Sequence, residues 1–170
     1  VQKNVLIEKI KSSLTLRVLK ELESLSVQNI EKYGKFWKNY GILLKEGISS
    51  DFKNKNRLMD LLRFNSSMSE DESPDVSLKI YVERMRDEQK EIFYVTGGSR
   101  ESILHNPNLE YFKKQGIEVL YLTDQIDDFM VTDMREYDGK TLKNISQGDI
   151  DGISDSESSV HKSSLSKEEQ

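Results

Sequence analysis

The hydrophobic spacing of this chain changes near Ser77, and that change constrains the fold more than any other feature. Before it, apolar residues recur at helical intervals; after it, short continuous apolar runs alternate with helical segments. Leu6, Ile10, Leu14, Val18 and Leu22 form one apolar stripe, which predicts a helix from about Val5 to Leu25. Ile30, Tyr33, Phe36, Trp37 and Tyr40 predict a second helix, closing at Gly41 or continuing toward Gly47. "RLMDLLRF", Arg57 to Phe64, predicts a third, and "SSMSEDESPD" reads as a polar loop broken by Pro74.

From Ser77 onward the pattern is that of alternating elements. Ser77 is placed to cap a short helix in "SLKIYVERM", and "EIFYVTG" reads as a strand. "RESILHNPNLEYFKKQG" is helical with a break at Asn106-Pro107, "IEVLYLTD" is a second strand, "QIDDFMVTDMREYDG" a helix and "KTLKNIS" a third strand. Such alternation places the chain in the α/β class: a three-helix connector followed by a small αβα subdomain with a short parallel sheet and right-handed crossovers. The nearly continuous apolar strands predict helices on both faces. The resulting division is 1–76 helical, 77–146 αβα, and 147–170 an acidic, Ser-rich linker, too poor in apolar groups to offset its ordering entropy.

Composition removes several function classes. Among 170 residues, 25 basic and 30 acidic side chains leave a formal charge of -5, which argues against nucleic acid as a partner. Cysteine is absent, so disulfides and thiolate metal sites are excluded. No apolar run reaches the ~18 residues of a membrane helix. The first residue is Val1, already within helical periodicity, as expected of a piece cut from a longer chain.

Motifs with chemical meaning are few. Gly97-Gly98 joins a strand to a helix, an arrangement that can cradle phosphate. It fits neither G-x-G-x-x-G nor the P-loop, so it reads as a turn needing positive φ. Gly139-Lys140-Thr141 imitates the end of a P-loop, but Met134 stands where the first glycine belongs. Asp124, Asp127 and Asp128 follow the second strand, where a Mg²⁺ or phosphoryl site is expected in a parallel sheet. Asp127 and Asp128 are better explained as first-turn acids facing the helix dipole. His105 and His161 have no metal or triad spacing, and the Tyr33, Phe36, Trp37, Tyr40 group reads as core. Gly97-Gly98 and Asp124 together sustain one alternative: a free-standing α/β nucleotide-binding or phosphotransfer domain.

Longer blocks carry a resemblance. "SLKIYVERMRDEQKEIFYVTGG" (Ser77 to Gly98) is similar to the middle segment of the ninety-kilodalton heat-shock chaperone family. "KYGKFWKNYGILLKEGI" (Lys32 to Ile48), "LLRFNSS" (Leu61 to Ser67), "GIEVLYLTDQIDDFM" (Gly116 to Met130) and "EYDGKTL" (Glu136 to Leu142) resemble the same family in the same order. The "KFW…LKEG" block is more similar to the bacterial and organellar branches. The resemblance therefore implies a bacterial cytoplasm, a mitochondrion or a plastid-like organelle rather than the eukaryotic cytosol.

The resemblance also implies a dimeric, ATP-driven stress chaperone that binds unfolded or partly folded clients. ATP and Mg would bind in a separate N-terminal domain and dimerisation would lie in a C-terminal domain. The piece itself would hold no cofactor or metal, act on no membrane or nucleic acid, and hydrolyse nothing alone. In the family the middle segment sends an Arg to the γ-phosphate, with a Gln four residues later; Gln2 matches the Gln, and the Arg would precede Val1. Asp128, Phe129 and Met130 match a candidate client surface, on which Phe129 either faces outward or packs inward. Met130 would suit an adaptable surface.

Overall fold

A computed structural model describes residues 2–147. The first helix, α1 (Gln2–Gln28), and the second, α2 (Ile30–Ser50), meet at Asn29, whose side chain accepts a 2.9 Å hydrogen bond from the Lys32 backbone N–H. Helix α2 runs through both Gly41 and Gly47, because Tyr33, Trp37, Gly41, Lys45 and Ile48 fall on one buried face. A Cβ at Gly41 would lie 2.8 Å from the Trp37 ring, so glycine lets the indole lie flat along the helix.

A 3-10 turn (Phe52–Asn54) leads into α3 (Lys55–Leu61). This helix stops before Phe64, the end that the apolar pattern predicts, because Leu62 turns to extended geometry (φ -62, ψ 146). Phe64 then bridges Val76, and Asn65–Ser66 forms β1.

The remaining elements follow the predicted alternation with one correction: α4 (Leu78–Arg84), β2 (Glu91–Thr96), α5 (Arg100–Leu104), α6 (Pro107–Lys114), β3 (Leu120–Leu122) and α7 (Asp127–Met134), then β4 (Glu136–Tyr137) and β5 (Lys140–Asn144). The segment predicted as helix to Gly139 leaves it at Arg135 (φ 59), and its last part pairs with β5 as β4. Ser77 caps α4 through the Ile80 N–H at 3.1 Å, and Asn106 with Pro107 separates α5 from α6. The sheet has five strands in the order β1-β3-β2-β5-β4. Its centre is parallel, with Tyr94 opposite Leu120 and Ile92 opposite Leu142. Both edges are antiparallel, so the sheet is mixed rather than purely parallel. Asp138 (φ 49) and Gly139 (φ 72) make the tight turn between β4 and β5, which explains the glycine of the false P-loop ending.

Two cores sandwich the sheet. Ile92, Leu120 and Leu122 face a large core shared with α2, α3, α4 and α7. Phe93, Val95 and Tyr121 face a second core with Ile103, Leu109 and Phe112. Alternate strand residues pointing to opposite faces account for this division.

Helix α1 behaves differently. Of its predicted stripe, Leu6, Ile10, Leu14 and Val18 are 60, 52, 59 and 56% exposed, whereas Leu22 is half-buried. Only the later turns join the large core, through buried Leu19 and half-buried Leu22 and Leu25. A forked ion pair from Arg57 to Glu23, at 2.6 and 2.8 Å, fixes that end to α3.

Candidate functional site

Lys45 is the least expected residue of the molecule. It lies on the buried face of α2 and is 5% exposed, with its ammonium near the faces of Trp37 (6.0 Å) and Phe64 (5.8 Å). The charge is neutralised from α7 and the turn before it: Nζ stands 2.7 Å from Asp124 Oδ2 and 2.7 Å from Asp127 Oδ1. The bond to Asp124 is well directed. Asp127 Oδ1 is as close but receives no aligned hydrogen bond. Its partnership is therefore chiefly coulombic.

Asp127 is completely buried, and Oδ2 accepts the Asp124 N–H at 3.0 Å. Burial raises its pKa above the ordinary aspartate value, opposed by Lys45 and that N–H. Asp127 is thus the anion of an interhelical clamp, a role beyond the dipole partner expected of it. Lys45 was hidden from sequence reasoning by the prior that lysine faces water. Its spacing after Tyr33, Trp37 and Gly41 puts it on the apolar face of α2, and that was the available signal.

The clamp borders a cleft of about 1080 Å³ lined by Trp37, Arg63, Gly98, Arg100 and Asp124 among others. Gly98 and Asp124, the basis of the nucleotide-binding alternative, therefore do share a wall. Their surroundings are already partnered. Ser99 and Ser102 form a reciprocal cap on α5 that uses the Ser99 and Ser102 N–H groups. Arg100 Nε donates to Asn65 Oδ1 at 3.1 Å, and Arg63 lies 4.7 Å above the Tyr33 ring. Neither Gly97 nor Gly98 has positive φ. Gly97 is required for another reason: a Cβ there would meet Ile103 Cγ1 at 2.7 Å and Ser102 Oγ at 2.9 Å. Among the described residues no cluster of His, Asp and Glu could hold a metal ion, and no helix is long and apolar enough to cross a membrane.

Helix α7 divides the client-surface candidates. Phe129 is 68% exposed and Asp128 beside it is exposed. Met130 is fully buried in the large core together with Val131 and Met134. Met130 is therefore a packing residue, since one step along the helix turns it about 100° from Phe129, off the exposed face and into the core. The Gln2 side chain and the 148–170 part of the linker, with His161, lie outside the described residues. His105 Nδ1 rests 2.8 Å from the Glu101 carbonyl, a local contact. The arrangement ties α2 to α7 and leaves Phe129 at the surface; among the described residues, those brought together here do not form a nucleophile and base.

Comparison with known proteins agrees with this geometry. The model of the family described as Hsp90 protein matches residues 1–170. The chaperone protein HtpG of Francisella tularensis subsp. novicida is 46% identical over 151 residues, covering 89% of this chain and 24% of that protein. HtpG of Alkalilimnicola ehrlichii is 43% identical, with 89% and 23% covered. Among solved structures, the middle domain of a Plasmodium falciparum heat shock protein superposes with a TM-score of 0.76 at 26% identity, covering 83% of this chain and 58% of that one. The chain spans about a quarter of the length of the curated relatives it matches.

Proposed function

Because this chain belongs to the Hsp90 family and has the fold of its middle domain, we propose that it couples motion in a longer ATP-driven chaperone to the binding of unfolded clients. The observation that carries the reading is Phe129, an aromatic side chain 68% exposed on a helix that Lys45 ties to α2. An exposed aromatic ring on a rigid helix gives contact area at low entropic cost. Movement of the long α2 would reach that ring through the clamp. The exposed apolar residues of α1 support the coupling half of the proposal, since an apolar helix face of this kind offers a seat for another part of the same machine.

ATP and Mg belong, in this reading, to an N-terminal domain of the longer protein, with Gln2 as the contribution of this segment to hydrolysis. Partners are unfolded polypeptides, that ATPase domain and a second subunit joined elsewhere. The bacterial relatives favour a bacterial cytoplasm over an organelle. The test is binding of a denatured model protein to the chain and to Phe129→Ala. Weaker binding by a variant with unchanged circular dichroism is expected; equal binding refutes the client role of α7. In the longer protein, Gln2→Ala should slow ATP turnover, whereas the chain alone should show none.

A further inference from the structure

Four serines fall between Asn65 and Val76, and the fold uses the hydroxyls of three. Ser66 Oγ donates to the buried Glu118 at 2.5 Å, Ser67 Oγ accepts the Val119 N–H at 3.0 Å, and Ser69 Oγ accepts the Ser66 N–H at 3.1 Å. Ser73 differs. It is exposed, and among the described residues only its backbone is engaged: its N–H donates to Asp71 Oδ1 at 2.7 Å, and its carbonyl accepts Asn65 Nδ2 at 3.3 Å. Pro74 keeps the residue before it out of helical geometry, which leaves the hydroxyl on an open, extended piece of chain.

This loop lines the cleft beside the clamp, and Lys38, Arg63 and Arg100 line it too. Asn65 joins the two sides, since the carboxamide that holds the Ser73 carbonyl also accepts Arg100 Nε at 3.1 Å. Ser73 and Arg100 are thus one amide group apart. The acids on the cleft are Asp71, Glu72, Asp75 and Asp124. Asp124 is neutralised by Lys45, and the other three belong to the loop itself. Among the described residues Lys38, Arg63 and Arg100 have no carboxylate within ion-pair distance. A new anion on the loop is therefore repelled by its own neighbours and drawn to the arginines across Asn65.

From this we infer that Ser73 is a phosphorylation site and that Arg100, aided by Arg63, receives the phosphate and closes the loop onto the cleft. The donor is a nucleoside triphosphate held by a protein kinase. As the bond from Ser73 Oγ to phosphorus forms, the bond from phosphorus to the diphosphate oxygen breaks. The hydroxyl proton passes to the base of the kinase, and the nucleoside diphosphate leaves. The planar guanidinium fork then matches two phosphate oxygens.

The chain is incubated with ATP and an extract of the cells that make it, and phosphopeptides from residues 64–79 are mapped. Phosphate is expected on Ser73; phosphate on Ser66, Ser67 or Ser69 alone, or on none of the four, overturns the site. The chain phosphorylated at Ser73 is then titrated by phosphorus NMR beside a phosphopeptide of the same segment. The second phosphate pKa, about 6 when free, should lie about one unit lower in the folded chain than in the peptide. Arg100→Gln should remove most of that drop and Arg63→Gln part of it, with circular dichroism unchanged. High salt should shrink the drop in the unsubstituted chain, a reading that needs neither variant to fold. Equal values in chain and peptide, or a drop that survives both substitutions and high salt, overturn the receiving role of the arginines.

Discussion

The two faces of the sheet are built by different rules. The face toward α5 and α6 is held by apolar contact alone at its centre, where Phe93 and Phe112 rings lie 4.7 Å apart and Leu109 and Val119 are essentially buried. The face toward α2 and α7 encloses a lysine, an aspartate and the hydroxyl-bearing rings of Tyr33 and Tyr81. Apolar packing is tolerant and non-directional, whereas a buried ion pair is all-or-none in its geometry. The first face is a support. The second is a joint, and the aromatic side chains offered to solvent lie on its side of the sheet.

The strongest way to break this contrast is to damage the support. Phe112→Ala should lower stability by about 3–5 kcal/mol, read by urea denaturation, while the native fraction keeps its affinity for unfolded peptide. A large affinity change in that fraction would mean that both faces shape the binding surface.

Damage to the joint should look different. Lys45→Met leaves Asp127 buried without its cation and should cost about 3 kcal/mol, with peptide affinity falling as well because α7 loses its anchor. Asp127 has its folded pKa raised above the unfolded value. Protonation then favours the fold: the penalty in Lys45→Met should be smallest below the unfolded pKa and grow as pH rises through the folded one. Denaturant midpoints across that window check the sign, and Asp127→Asn in the same background should recover part of the loss.

A smaller effect sharpens the role of the hydroxyls. Tyr81 accepts from the Phe93 N–H (2.9 Å) and Gln89 (3.1 Å) and donates to the Glu118 carbonyl (2.7 Å). Tyr81→Phe should cost about 1–3 kcal/mol in chemical denaturation. Burial raises both phenols, Tyr33 to about 12 from 10.0. Stability from them is present below pH 10 and should disappear as pH climbs toward 12, with Tyr33→Phe flattening the alkaline limb. Least of all, Ser77→Ala should cost about 1 kcal/mol, visible as a small drop in thermal midpoint and no change in peptide binding.

What could be read from the sequence was whatever depends on neighbours along the chain. Ser77 as a cap, the Asn106-Pro107 break and the apolar runs of β2 and β3 are local, and they stand where the spacing puts them. The two-residue strands β1 and β4 have no period to detect and exist only because β3 and β5 offer them partners. The stripe of α1 was legible as a helix face, but periodicity says that a face is apolar and not what covers it. The clamp joins residues 79 apart, and no local rule links a lysine in α2 to the start of α7. Exposed Phe129 and buried Met130 are adjacent in sequence, so the resemblance could name the helix without assigning its sides.

The borders of the sheet carry a last consequence. β1 and β4 are each two residues long, and β1 runs straight into a serine-rich, acidic loop. An unfolded polypeptide arriving at such a rim finds almost no ladder on which to add itself as another strand. Rims this short thereby keep the sheet from serving as a template for aggregation.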